Sequence, residues 1–132
     1  MQMSKDLLFN VFKRVKESGI INEDLIEYLE SIFPNKTNDA LEVIKRGIKK
    51  NIYKPSNRIV WTAMGKNKEY LIYPKLYCSC QDFYKNVVIK RKRSFCKHLL
   101  AQTICEALNN YEGCEINDSE FKDFIQEVKL KE

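Results

Sequence analysis

The chain has 132 residues, of which 44% are hydrophobic and 31% charged, with only four glycines and three prolines. This length suits one domain with a small core, and this composition excludes a disordered, collagen-like or low-complexity protein. The formal net charge of +5 conceals an uneven distribution. Residues 1–42 carry 5 basic and 8 acidic groups, residues 43–105 carry 15 and 2, and residues 106–132 carry 3 and 8. A basic centre between acidic ends predicts a polyanionic partner for the centre.

No apolar run approaches the roughly 18 residues of a membrane span. Residues 1–6 lead directly into an amphipathic pattern, without the apolar stretch of a signal peptide. We therefore expect an intracellular protein, cytoplasmic and nucleoid-associated or nuclear according to its source, with no membrane partner. Intracellular thiols stay reduced and the cysteines number five, which is odd, so a cluster of them indicates metal binding rather than a disulfide framework.

The first third of the chain is predicted to form three helices. Apolar residues three and four apart indicate a first helix, and a second is predicted to begin at Asn22. A third is predicted from the cap signal at 37–39 through Ile48. Its last turns would carry four cations, namely Lys45, Arg46, Lys49 and Lys50. These cations either form a solvated face that suits the negative helix end or contact nucleic acid, and the pattern leaves both interpretations open.

The middle of the chain changes to a strand pattern. Branched and aromatic residues at 59–64 and 69–73 predict a β-hairpin around a turn at 65–68. A third short strand is predicted at 76–78. The expected sheet is therefore a β-hairpin or a three-stranded antiparallel sheet.

Helical spacing returns at Leu99 and is predicted to end near Gly113, and a last helix is predicted from Asp118. We thus expect one domain, 1–132, of α+β class. It would comprise N-terminal helices (1–57), a zinc-binding segment with its preceding hairpin (58–112) and a C-terminal helix (113–132).

Two pairs of potential metal ligands, Cys78 with Cys80 and Cys96 with His98, are separated by 15 residues. In extended backbone, residues i and i+2 project to the same side, so Cys78 and Cys80 can converge on one ion. In a helix, side chains two residues apart point about 200° away from each other, so Cys96 is predicted to lie before or at the first turn, with His98 just inside it and Ser94 as the cap. Four nitrogen and sulfur ligands form the closed tetrahedral set of a structural zinc ion. The sequence therefore predicts one structural Zn²⁺, the alternative being four ordinary residues.

The other two cysteines, Cys105 and Cys114, lack ligand spacing and are expected to be ordinary thiols.

Cations dominate the insert between the two ligand pairs, and residues 83–105 contain no acid. Cations neutralise phosphates and neighbouring tyrosines can stack on bases, so this segment predicts contact with DNA. The predicted nucleic-acid-binding residues are Lys85, Lys90, Arg91, Lys92, Arg93 and Lys97. The alternatives are a solvated loop or a nuclear-import signal at 90–93, and a core position for Trp61.

The pattern C-x-C-x15-C-x-H resembles the SWIM zinc finger. The local sequences Tyr77–Phe83 and Cys96–Ala101 more narrowly resemble the small SWIM-domain subunits of Shu-type homologous recombination complexes. The close match spans about residues 59–104, and the N-terminal third matches in layout only. The resemblance implies a non-catalytic accessory factor in homologous recombination and DNA repair, acting with a RecA-like recombinase paralogue.

The residues themselves also favour a protein that is not an enzyme. With the single histidine assigned to zinc, no Ser-His or Cys-His dyad is available, and the chain has no Gly-rich phosphate loop, so we expect no small-molecule substrate. The acidic ends suit protein contacts, with Phe121 and Phe124 either as anchors or packed onto the core. A second function is a stand-alone zinc-stabilised DNA-binding or regulatory protein linked to transposition or transcription, because SWIM fingers also occur there.

Overall fold

The computed structural model describes the backbone of residues 4–65 and 67–131, and the side chains of residues 7–65 and 67–126. Within these residues the helices are α1 (Ser4–Ser18), α2 (Glu23–Ile32), α3 (Thr37–Arg46), a π-helix (Phe83–Ile89), α4 (Lys97–Leu108) and α5 (Ser119–Lys131). The strands are β1 (Ile48–Lys54), β2 (Arg58–Met64), β3 (Glu69–Tyr73), β4 (Tyr77–Cys78) and β5 (Glu112–Asn117). The α+β class is as predicted. None of the helices in this part of the chain is long and apolar enough to cross a membrane.

The strands form one mixed sheet in the order β4-β3-β2-β1-β5. The first three of these are the predicted hairpin and its short third strand, and all three pair antiparallel. Strand β1 extends the sheet antiparallel to β2, and β5 closes its far edge parallel to β1. The predicted three-stranded sheet therefore has two further strands.

The prediction of a third helix through Ile48 is wrong, because α3 ends at Arg46 and Ile48 begins β1. Gly47 has φ 116° and ψ 143°, a conformation that only glycine adopts readily, and this turns the chain out of the helix. Lys49 and Lys50 consequently lie in a strand, where the Lys50 ammonium faces the Trp61 ring at 5.7 Å from its centroid. The prediction that residues 1–57 form a helical part is therefore wrong for β1.

The predicted helix end near Gly113 is also wrong. Helix α4 stops at Leu108, and Asn109 caps it in the left-handed conformation (φ 55°, ψ 34°). Gly113 lies in β5, where it pairs with Lys50 of β1. The C-terminal segment 113–132 is therefore a strand followed by a helix, and α5 begins one residue after the predicted Asp118.

Helix α4 is the centre of the main core. Its residues Leu99, Leu100 and Ile104 are at most 1% exposed and pack between the N-terminal helices and one face of the sheet. Trp61 belongs to this core, since it is 5% exposed and packs edge-on against Tyr111. The core interpretation of Trp61 is thus correct and a base-stacking role is not.

The opposite face of the sheet carries a second, smaller cluster of Tyr53, Val60 and Leu71. Helix α5 covers it with Phe121 and Phe124, and the Phe121 ring packs edge-on against Tyr53 at 5.2 Å between centroids. These two phenylalanines therefore pack onto the sheet, as the second of the two interpretations expected.

The core defined by α4 can be tested with Leu100→Ala. We expect this change to lower the free energy of unfolding of the zinc-loaded protein by about 2–5 kcal/mol, because it removes buried methyl groups and leaves a cavity. Urea unfolding followed by circular dichroism measures the loss. Ile89→Ala, at a side chain that is 58% exposed, is the matched control and should change stability by less than about 0.5 kcal/mol. Equal losses in the two variants would contradict the assignment.

Candidate metal centre

The first ligand pair lies where β4 ends. Cys78 is the last residue of that strand, and Ser79 attaches the following turn to β3 through two hydrogen bonds. The Ser79 N–H donates to the carbonyl oxygen of Leu71 at 3.0 Å, and the Leu71 N–H donates to Oγ of Ser79 at 2.9 Å. The backbone between Cys78 and Cys80 is therefore held in place from within the sheet. Sequence reasoning missed this role of Ser79, although the residue lies between the two ligands.

The second pair lies at the start of α4. Cys96 is the N-cap residue in extended conformation (φ −102°, ψ 172°), and its carbonyl oxygen accepts from the Leu100 N–H at 3.1 Å. His98 is the second residue of the helix, so the predicted position of Cys96 before the first turn is confirmed. The assignment of Ser94 as the cap is wrong, because the N-cap residue is Cys96, two residues later.

The structure brings the four predicted ligands together. Their ligand atoms all lie within 4.8 Å of one another, and all four residues are buried. Sγ of Cys96 lies 4.0 Å from Nδ1 of His98, within about 0.5 Å of the roughly 3.6 Å between a sulfur and a nitrogen ligand of tetrahedral zinc with bonds of about 2.3 and 2.0–2.1 Å. Three thiolates and an imidazole are a donor set that Zn²⁺ prefers, so this cluster fits one zinc ion. Because four protein ligands fill the coordination sphere, the bound ion would be structural.

The remaining cysteines lie outside this cluster. Burial raises the pKa of Cys105 to about 12, which keeps its thiol protonated and inert, and Cys114 is half-buried in β5.

The electrostatics of the cluster explain why it suits a cation. Burial raises the pKa of Cys78 well above its ordinary value and raises the pKa of Cys96 as well. The thiols of Cys78 and Cys96 donate hydrogen bonds to Cys80 and lower the pKa of Cys80, with His98 acting in the same direction. The Phe83 N–H also donates to Sγ of Cys80 at 3.3 Å. Without a cation the cluster therefore favours a single thiolate, and a bound divalent ion is what allows three to form.

The imidazole of His98 is held by aromatic packing. The Tyr70 ring lies against it with 4.5 Å between centroids and a tilt of 37°. Tyr70 also lies close to Gly65, where an added Cβ would be only 2.6 Å from the ring. A glycine is therefore needed at 65 for close approach of the ring, which in turn orients the ligand.

The insert between the ligand pairs is folded by its one acidic residue. The Asp82 carboxylate accepts a hydrogen bond from Nδ2 of Asn86 at 2.7 Å and forms an ion pair with Arg93. The backbone N–H groups of Lys92 and Arg93 donate to the carbonyl oxygen of Asn86 at 2.7 and 3.2 Å. These contacts hold the loop at residues 92–93 against the π-helix, an arrangement that the sequence pattern did not reveal.

The six predicted nucleic-acid-binding residues occupy three different environments. Four are exposed on the π-helix and the loop that follows it, namely Lys85, Lys90, Arg91 and Lys92. Arg93 is half-buried in its ion pair with Asp82. Lys97 is half-buried and lines a pocket beside His98 to which the four exposed cations do not contribute. Their contact with DNA stays a prediction.

Removal of zinc with a chelator, or the substitution Cys80→Ala, is expected to unfold at least the C-terminal half of the chain. The reason is that the site joins the end of β4 to the start of α4, so metal binding contributes directly to folding. Circular dichroism and metal analysis measure the effect. Cys114→Ala removes a thiol outside the cluster and should keep one zinc per chain and an unchanged spectrum. A spectrum that survives complete zinc removal would contradict the structural role.

Zinc affinity is expected to rise with pH through the neutral range. Without zinc this segment is expected to be unfolded, so the thiols of Cys78, Cys80 and Cys96 keep an ordinary pKa of about 8.5 and carry protons at neutral pH. About three protons therefore leave per zinc, and the association constant rises about one thousandfold per pH unit. Calorimetry in buffers of different protonation enthalpy counts these protons. Cys105→Ala, outside the cluster, should leave the count unchanged, whereas a count near zero for the native chain would refute the assignment.

Comparison with known proteins extends the similarity beyond the finger. The chain is 32% identical over 127 residues to the zinc finger SWIM domain-containing protein 7 homolog of Dictyostelium discoideum, covering 94% of this chain and 81% of that protein. It is 30% identical over 128 residues to zinc finger SWIM domain-containing protein 7 of Mus musculus (96% and 84% covered) and 28% over 130 residues to that of Homo sapiens (97% and 93%). No family model and no solved structure matches the chain.

This similarity runs along nearly the whole chain, and the four ligands meet in one buried cluster. The resemblance to SWIM zinc finger proteins is thereby confirmed, and the chain belongs to the family of zinc finger SWIM domain-containing protein 7.

Proposed function

We propose that this protein is a non-catalytic accessory factor in homologous recombination and DNA repair, which acts with a RecA-like recombinase paralogue and contacts DNA. The observation that carries the proposal is the closed zinc site in a chain that matches its relatives over almost its full length. The recombination role rests on the resemblance of Tyr77–Phe83 and Cys96–Ala101 to the small SWIM-domain subunits of Shu-type complexes.

The ligand set supports a role without catalysis. Catalytic zinc keeps one position open for water or substrate, whereas three thiolates and an imidazole would occupy all four positions here. The single histidine of the chain is one of these ligands, so it cannot also serve as a general base.

The finger also presents a surface suited to a protein partner. Tyr84, Val88 and Ile89 of the π-helix are 61%, 48% and 58% exposed. Tyr84 and Val88 line one groove together with the buried Phe83. Exposed apolar side chains along a groove are typical of an interaction surface and support a factor that acts within a complex.

The charge of the insert supports DNA contact. Lys85 and Lys90 lie one turn apart, since the Lys90 N–H donates to the carbonyl oxygen of Lys85 at 2.9 Å, and Arg91 and Lys92 follow directly. All four are exposed, and the one acid of the insert is engaged by Arg93. The insert therefore has a positive outer surface that can neutralise phosphates.

Affinity purification of the tagged full chain from its native host tests the proposal. We expect a RecA-like ATPase in roughly stoichiometric amount with the native sequence and with Cys114→Ala, and loss of it with Cys80→Ala, because the finger then unfolds. Mass spectrometry of the eluate measures this. Recovery of zinc-loaded protein without any RecA-like ATPase would contradict the proposal and favour a stand-alone DNA-binding or regulatory protein.

A further inference from the structure

A basic pocket lies beside the zinc site and is built from three separate parts of the chain. Arg46 comes from the last residue of α3, Lys68 from the turn before β3, and Lys97 from the first residue of α4. Tyr70 and His98 line the same pocket. None of these cations lies in the basic insert between the ligand pairs, so the tertiary structure assembles a cluster of cations that are far apart in the sequence.

Two of the three cations that line this pocket, Arg46 and Lys97, form no ion pair with a described carboxylate. In the part of the chain whose side chains are described, no carboxylate lies within 4.0 Å of the Arg46 guanidinium or the Lys97 ammonium. Glu69 precedes Tyr70 in β3, and neighbouring residues of a strand point to opposite faces of the sheet. Tyr70 lines this pocket, whereas Glu69 lines a different pocket with Lys49 and Glu120.

The zinc site itself removes only part of this positive charge. A zinc ion with three thiolates and a neutral imidazole carries one net negative charge, against three cations around the pocket. The first turn of α4 adds the positive end of a helix dipole, because Lys97 and His98 are its first two residues. The pocket is therefore a concave site for an anion.

A phosphate group is the anion that these side chains suit. Arg46 offers a planar fork of N–H donors, and the two lysines add point charges, a combination that matches phosphate oxygens. Lys97 follows Lys92 by five residues, at most about 17 Å of extended chain, so a few nucleotides of a bound strand would reach both the pocket and the exposed loop cations.

We infer that this pocket holds a backbone phosphate of a single DNA strand and anchors the DNA contact, with Arg91 and Lys92 adding exposed contacts beside it. The inference rests on the proposed DNA contact and assigns two residues to it, Arg46 and Lys68, that are not among the six predicted nucleic-acid-binding residues. The recombinase partner plays no part in the inference.

The test compares four zinc-loaded full-length proteins: the native chain, a pocket variant (Arg46→Gln with Lys97→Gln), a loop variant (Arg91→Gln with Lys92→Gln) and a control (Lys13→Gln with Lys45→Gln). Each variant removes two charges, and the control residues are exposed on α1 and α3 without lining the pocket. Fluorescence anisotropy with a labelled single-stranded oligodeoxynucleotide is recorded over a range of salt concentrations, and zinc content is measured alongside.

For the pocket variant we expect about tenfold weaker binding near physiological salt, and a fall of about 0.7 in the slope of log affinity against log salt, since the pocket neutralises one phosphate and each neutralised phosphate of a single strand contributes about 0.7. The loop variant should lose less affinity and the control least. Arg46→Gln alone, at a residue away from the ligands, should lower affinity and slope in the same direction by a smaller amount, and it covers the case in which Lys97→Gln disturbs zinc binding.

If the native chain binds DNA but both variants that change Arg46 keep the native slope, the assignment of a phosphate to this pocket is wrong, while the DNA contact itself stands. A native chain that binds no oligonucleotide would overturn the proposed DNA contact with it, whereas co-purification of the recombinase tests the partner separately. Inorganic phosphate is added as a competitor: displacement only at concentrations far above those of the oligonucleotide supports a strand, and equal potency would overturn it in favour of a small-anion site.

Discussion

The meeting of three thiols and one imidazole within 4.8 Å is the constraint on which the rest of this molecule depends. It joins the end of β4 to the start of α4, and α4 supplies the residues around which the main core packs. A structural zinc ion contributes an apparent free energy of about 10–16 kcal/mol, which is comparable to the whole stability of about 5–15 kcal/mol of an ordinary domain. In a chain of 132 residues with one small core, metal binding and core formation are therefore one event.

The burial of the ligand cluster also makes zinc binding depend on pH and on the residues around the ligands. The cluster is buried, and burial raises the pKa of Cys78 and Cys96, so three thiolates form there only around a cation. The supporting contacts are local and specific: Ser79 binds the first pair to β3, and Tyr70 orients His98. These neighbours hold the ligands in position, so the zinc finger depends on the hairpin. The core in turn depends on the zinc finger, which fixes the start of α4.

The two acids of the basic centre explain its charge distribution. Asp82 pairs with Arg93 and closes the insert onto its π-helix, while Glu69 points to the opposite face of the sheet. Glu69 is thus removed from the pocket of Arg46, Lys68 and Lys97, and the charge of Asp82 is compensated within the insert. Part of the positive surplus of the centre consequently lies in an exposed loop and part in a concave pocket.

Short-range geometry explains the features that were predictable from the sequence. The hairpin, the cap of α2 by Asn22 and the two ligand pairs follow from turn residues, capping chemistry and the two-residue spacing, since each is fixed within a few residues. The position of Gly113 in the sheet was not predictable, because β5 finds its parallel partner β1 more than 50 residues earlier in the chain. Ile48–Lys54 pairs with the nearby β2, but Ile48 also continues the helical spacing of α3, so the folded chain alone identifies this segment as a strand. The tertiary structure also places Arg46 beside Lys97, since the packing of α3 against α4 depends on the whole core and leaves no local mark on the sequence.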